Sequence, residues 1–266
     1  MKFALNYMTA PAMPVADFLD LALSLGIKAV EIRNDLADNA ILDGTPATTI
    51  RRLTEERDIE IISINALQRF NAWSEARARE ARSLLAYARD CGANALVLVP
   101  TNDGSGRENG VRQESLRLAL TELKPLFEDA GITGLVEPLG FEICSLRSKR
   151  EAVDAIESVG GNVFKLVHDT FHHHLAGESQ IFPDHTGLVH ISGVTDPDVS
   201  PAAMQDSHRT LVDALDRLGT IGQIGALRAA GYAGHLSFEP FARSVHTLTD
   251  PGAALRTSID HIRATA

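Results

Sequence analysis

The chain is short of cysteine, of basic charge and of long apolar runs. Its two cysteines, Cys91 and Cys144, do not form a CxxC pair, so a reducing cytoplasm is the simplest setting. Lys and Arg number 25 against 35 Asp and Glu, giving a formal net charge of −10. Such a surface repels phosphates and anionic headgroups, which argues against nucleic-acid and membrane partners. No apolar run reaches the length of a membrane span. The opening MKFALNYMTAPAMP lacks the apolar core of a secretion signal. No GxGxxG follows the first strand-like run, so a dinucleotide fold has no support. No low-complexity tract or Pro/Gly/Ser-rich linker divides the chain, and residues 1–266 read as one domain.

What is present is an alternation. Short β-rich runs occur at Phe3–Tyr7, Ala29–Arg33, Glu60–Asn65, Ala95–Pro100, Gly134–Glu137, Phe164–Asp169, Gly187–Ile191 and His235–Glu239. Between them lie helical patterns such as PVADFLDLALSLG, SEARAREARSLLAYARDCG and ESLRLALTELKPLFEDAG, the last with a potential kink at Pro125. "Helix, Gly, strand" recurs at Gly26, Gly92, Gly131, Gly160 and Gly231. Eight strands in 266 residues predict an α/β fold, a (β/α)₈ TIM barrel of roughly 250 residues. A doubly wound open sheet normally has fewer strands. The longer connections come after strands: NALQRFNAW, TNDGSGRENG and SGVTDPDVSPAAMQDSHRT. In a barrel these sit over the catalytic face.

Four of the predicted strands end in a group that can hold a metal. They are Glu137 in ITGLVEP, Asp169 in VFKLVHD, His190 in TGLVHISG and Glu239 in GHLSFEP. A strand-end Glu or Asp alone is commonly a cap or an ion-pair partner, and one His a satisfied core residue. Four on consecutive strands share one barrel rim and can converge. Three carboxylates and one imidazole suit Mn²⁺, Mg²⁺ or Co²⁺, and the His also permits Zn²⁺.

HDTFHHHLAGE sets His168, His172, His173 and His174 beside Asp169. Alternation sends His168 to the opposite face. His172 points into the site if the chain turns after Asp169, and His173 and His174 are bystanders. Arg33, ending AVEIRND, is equally suited to substrate hydroxyls and to an ion pair with Glu31 or Asp35. Asn65 ends the third strand and is, like Arg33, a candidate substrate contact. Phe70 and Trp73 are candidates for an apolar wall of the pocket, although core packing is the commoner fate of such aromatics. Arg217 in DALDRLGTIGQIG would by itself be an ordinary helix-surface residue.

VEIR, NALQRFN, VEPLGFEIC, DTFHHH, VHIS, DRLGTIGQIG and LSFEPF occur in this order. Together they resemble the xylose-isomerase-like (β/α)₈ superfamily of sugar isomerases and epimerases, and within it the inosose (2-keto-myo-inositol) isomerase branch of inositol catabolism. The resemblance implies that Glu137, Asp169, His190 and Glu239 bind one divalent metal, and that His172 and Arg217 contact substrate oxygens. It implies that Glu137 and Glu239 double as acid–base groups on opposite faces of the substrate. Two departures bear on the substrate: LGTIGQIG replaces a PGxG phrase, and Ser192–Gly193 replaces an acidic residue after the strand-seven His. The expected partner is a small keto-polyol or keto-sugar, isomerised through an enediolate by proton transfer; a homo-oligomer is compatible with this. A keto-sugar 3-epimerase or a hydroxypyruvate isomerase would share the site. Dehydroshikimate dehydratase, abasic-site endonuclease and non-catalytic sugar binding rank below these.

Overall fold

The computed structural model of the protein describes residues 1–36, 41 and 43–266. Eight parallel strands close into a barrel in the order β1 to β8. They are β1 (Lys2–Asn6), β2 (Ala29–Arg33), β3 (Glu60–Gln68), β4 (Ala95–Val99), β5 (Thr133–Val136), β6 (Phe164–Asp169), β7 (Thr186–Ile191) and β8 (His235–Phe238). The ring is completed by β1 on β8, with Lys2 opposite His235 and Leu5 opposite Phe238. All eight predicted strands are present. β3 runs three residues further than expected, so NALQ belongs to the strand and the loop begins only after Gln68.

The intervening helices are α1 (Val15–Ser24), α2 (Ala47–Glu55), α3 (Glu75–Cys91), α4 (Val111–Ala130), α5 (Lys149–Val159), α6 (Thr170–Ala176), α7 (Thr220–Ala229), α8 (Arg243–His246) and α9 (Pro251–Thr265). Ser74 caps α3 by accepting the Arg77 N–H, and Gly92 ends that helix at φ 82°. A left-handed turn of this kind favours a residue without Cβ. Pro125 lies inside α4, which continues past it to Ala130; the expected kink does not interrupt the helix.

Successive residues of each strand face opposite sides of the sheet. Outward residues such as Leu5, Val30, Ile32, Leu96, Leu98, Val189 and Phe238 join the large core beneath the helices. Inward residues form a separate, smaller core of Ala4, Ala29, Ile62, Ala66, Ala95, Val97, Leu135, Val167 and Leu188. Four alanines in that set reflect the narrow interior of an eight-stranded barrel. Two residues further along, the inward positions turn polar: Asn6, Glu31, Glu137, Asp169, His190 and Glu239 are all buried. An apolar plug thus supports a polar floor at the carboxyl ends of the strands.

Candidate metal centre

Glu137 and Glu239 lie one residue beyond the ends of β5 and β8, Asp169 is the last residue of β6, and His190 is the last but one of β7. The strand ladder fixes the two glutamates by their backbones. Glu137 N–H donates to Leu98 O at 3.1 Å, and Glu239 N–H to Ile191 O at 3.0 Å. The four side chains are buried, and their ligand atoms lie within 4.8 Å of one another. His190 Nδ1 sits 2.9 Å from Glu137, 3.2 Å from Glu239 and 3.9 Å from Asp169. Asp169 has two tasks. Its Oδ1 caps α6 by accepting the His172 N–H at 2.9 Å, which leaves Oδ2 for the cluster.

Two guanidiniums border the carboxylates. Arg209 Nη2 donates to Asp169 at 2.6 Å and to Glu239 at 2.9 Å. Arg33 Nη1 donates to Glu239 at 2.8 Å, while its other nitrogens hold Asp35. Of the two readings of Arg33, the ion pair is seen, with Asp35 and not Glu31 as the partner. Glu31 points to the barrel axis, where His190 Nε2 lies 3.1 Å away.

These contacts set the proton affinities. Burial pushes the Glu239 carboxyl up, but His190, Arg209 and Arg33 outweigh it and hold the group well below the usual carboxylate range. Glu137 lacks an arginine contact, so burial prevails and its carboxyl is pushed up, despite His190. Burial opposes charge on His190, yet Glu239, Glu31 and Glu137 raise the imidazole well above its ordinary value. Burial also raises Asp169, against which Arg209 and His172 leave it lowered.

A divalent metal fits this donor set. Glu31, Glu137, Asp169 and Glu239 are four buried carboxylates, against the two buried guanidiniums of Arg33 and Arg209. With all four ionised, two negative charges remain uncompensated; His190 and Glu137 hold protons more tightly in answer to that excess, and one divalent cation would balance it instead. Oxygen donors with a single imidazole are the ligand set of a hard or borderline ion.

A cleft of about 210 Å³ opens above the cluster, with Glu137 and Glu239 in its wall. Arg33, Asn65, His172 and Arg209 line it, as the sequence led one to expect for the first three. The His172 Nδ1 is buried and has no hydrogen-bond partner. Gly140 sets its position: a Cβ there would lie 2.4 Å from the His172 carbonyl, so the loop after β5 packs directly on α6.

Three expectations need correction. Phe70 does not line the cleft; it is fully buried in the core under the helices, and Trp73 packs half-buried against that core. The apolar wall is instead Val99, Leu139, Phe141 and Phe241. Arg217 does not reach the cleft either. Its Nη1 donates to the Val199 carbonyl at 2.7 Å and to that of Asp196, bracing the loop between β7 and α7.

Arg209 was not singled out from the sequence, and its placement depends on the departure at Ser192–Gly193. Gly193 and Thr210 form an antiparallel bridge, with N–H···O distances of 2.9 and 2.7 Å. A Cβ on Gly193 would meet the Leu211 carbonyl at 2.9 Å. The small residue lets the loop fold back, and Ser192 Oγ accepts from Arg209 Nε at 3.1 Å. Glu31 was also missed as a contact of His190, because a strand carboxylate two residues before Arg33 reads as its ion-pair partner. His168 lies on the outer face as predicted, 2.9 Å from Gln223 of α7. His173 Nδ1 lies 2.7 Å from the buried Lys149.

Residues 19–265 match the xylose isomerase-like TIM barrel family. A xylose isomerase domain-containing protein of Salmonella typhimurium LT2 is 34% identical, with a TM-score of 0.90 over 99% of this chain and 96% of that one. The IolI protein, whose crystal structure carries a zinc atom, is 21% identical with a TM-score of 0.86, over 100% and 99% of the two chains. The inosose isomerase of Bacillus velezensis is 29% identical over 126 residues, which are 46% of this chain and 45% of that relative. The matched stretch thus spans less than half of the relative's length.

Proposed function

The chain belongs to the xylose isomerase-like TIM barrel family, and from its site we propose a divalent-metal-dependent isomerase of a small keto-polyol, of the 2-keto-myo-inositol type. The observation that carries this reading is the pair Glu137 and Glu239, both in the wall of the cleft and both within the four-residue cluster. Glu137, Asp169, His190 and Glu239 would hold the metal. When bound, the ion supplies Lewis-acid polarisation of a ketone and its neighbouring hydroxyl, which acidifies the C–H between them.

The side chains supply the proton transfers and the orientation. Glu239, held ionised by Arg33 and Arg209, is suited to take a proton from the carbon beside the ketone. Glu137, with its raised proton affinity, is suited to deliver one. Two carboxyl groups of different proton affinity, one that accepts and one that delivers, are what a two-step proton transfer requires. His172, with its unpartnered Nδ1, and Arg33, Asn65 and Arg209 offer hydrogen bonds to substrate oxygens. Asp35 and Asp206 also line the cleft, so a neutral polyol suits it better than a carboxylate substrate such as hydroxypyruvate or dehydroshikimate.

The test is proton exchange. The chain is loaded with Mn²⁺ or Zn²⁺, incubated with 2-keto-myo-inositol in D₂O and followed by NMR. Deuterium entering the carbon beside the ketone, and absent with Glu239→Gln, is the expected result. The product then separates ketone shift from epimerisation. Bound metal without exchange would overturn the proposal.

A further inference from the structure

His190 has two ring nitrogens, and carboxylates face both. Nδ1 faces Glu137, Asp169 and Glu239, the groups that share the cleft. Nε2 faces Glu31 alone, at 3.1 Å. Glu31 is fully buried and is not among the residues that line the cleft above the cluster.

The surroundings of Glu31 consist of donors. Ser63 and Asn65 of β3 donate to Oε2 at 2.5 and 2.8 Å. Ser237 of β8 and Asn6 of β1 donate to Oε1 at 2.5 and 3.3 Å. An ionised carboxylate has about four acceptor positions; Ser63, Asn65 and Ser237 take three at short distance, His190 Nε2 takes the fourth, and Asn6 is the longest contact. Glu31 is therefore held from four strands with no position left for a metal. Toward His190 it can only accept. The proton it accepts then sits on Nε2, and a metal that takes the place of the proton on Nδ1, the nitrogen facing Glu137 and Glu239, would meet the lone pair there.

We propose that Glu31 is a positioning residue that holds the Nε2–H tautomer of His190, so that Nδ1 is the atom offered to the metal. This rests on the metal-centre reading above and extends it to a residue outside the cleft. The physical basis is general. A carboxylate behind a ligating imidazole fixes its tautomer and ring orientation and raises its basicity. Here the brace comes from β2, on the far side of the barrel from β7, so the ligand is held across the barrel axis.

Two measurements test it, neither of them a turnover assay. The full-length chain, labelled with ¹⁵N-histidine and loaded with Zn²⁺, is examined by long-range ¹H–¹⁵N correlation. The expected spectrum shows His190 protonated at Nε2 with Nδ1 on the metal; the reverse arrangement would overturn the proposal, and so would failure of the unaltered chain to take up Zn²⁺. This readout requires no variant. Zn²⁺ affinity is then measured by chelator competition for Glu31→Gln, whose amide would present N–H to Nε2. The expected loss is about 10–100-fold. A folded Glu31→Gln protein with wild-type affinity and an unchanged His190 spectrum would overturn the assignment. Ser237→Ala, which removes one donor but keeps the carboxylate, is expected to lose less affinity and to retain the Nε2 proton. Absence of deuterium exchange with zinc bound at Nδ1 would sink the isomerase reading and leave Glu31 in its role. Wild-type zinc affinity in Glu31→Gln would do the opposite.

Discussion

The two halves of the barrel contribute differently to one centre. The four residues of the cluster that could hold a metal come from β5 to β8 and the residues that end them. The first half contributes Asn6, Glu31, Arg33 and Asn65, which hydrogen-bond those groups or one another. One half therefore presents the candidate ligand atoms, and the other orients them from across the barrel, with Arg209 on the loop after β7 adding a second guanidinium. The backbone architecture is the same in both halves; the division lies only in which inward side chain closes each strand.

The strongest challenge to that division is removal of a ligand. Asp169→Ala is expected to abolish measurable metal binding and to reduce deuterium exchange by at least about 10²–10⁴-fold, the range for loss of a catalytic group; retained metal by elemental analysis would break the comparison. Removing a supporting charge should act differently. Arg33→Met is expected to leave metal bound while slowing exchange about 10²-fold, as for loss of one preorganised donor. It should also destabilise the protein by about 3–5 kcal/mol, because Glu239 loses a buried partner. Loss of metal in Arg33→Met would erase the distinction between the halves.

The outer face of β6 provides an internal contrast, since His168 is the neighbour of Asp169 but turns away from the axis. Burial, with Lys149 and His173 nearby, pushes the His168 imidazole down to about 3. The folded protein keeps it neutral, whereas the unfolded chain takes up a proton below about 6.5. Stability from this residue is thus complete above that pH and falls as the pH drops toward 3, by about 2 kcal/mol at pH 5. Urea midpoints at pH 7 and pH 5 measure it, and His168→Gln should flatten the difference. The smallest effect is expected for Arg217→Ala, within about threefold of the parent exchange rate, because that side chain braces a loop outside the cleft. A hundredfold loss would return Arg217 to the site.

These contrasts reflect the kinds of information a sequence can and cannot carry. The clustering of Glu137, Asp169, His190 and Glu239 was legible because each closes an apolar run, and strand ends of a parallel barrel share a rim. His172 and His168 were legible from the turn after β6 and from strand alternation. Arg209 was not, because it arrives on a long loop whose path depends on the Gly193–Thr210 bridge, a contact without a periodic signature. Phe70 and Trp73 were assigned to the pocket on the premise of a loop after Asn65. β3 continues to Gln68, which shifts both aromatics beyond the rim. Glu31 was hidden for a different reason: sequence proximity to Arg33 suggested a pair, whereas its partner lies 159 residues away.

The closure of β1 on β8 also governs when this centre can exist. Asn6 donates to Glu239 across 233 residues, and the strand that precedes Glu239 has β1 and β7 as its neighbours. During synthesis the first seven strands emerge with an open edge and three of the four ligands, but without the last glutamate. Contacts of such sequence separation form late and slowly. Completion of the site and completion of the fold then become one event: the nascent barrel holds no finished cluster until its final strand has docked, and it is the Asn6–Glu239 hydrogen bond that ties the first strand to the last.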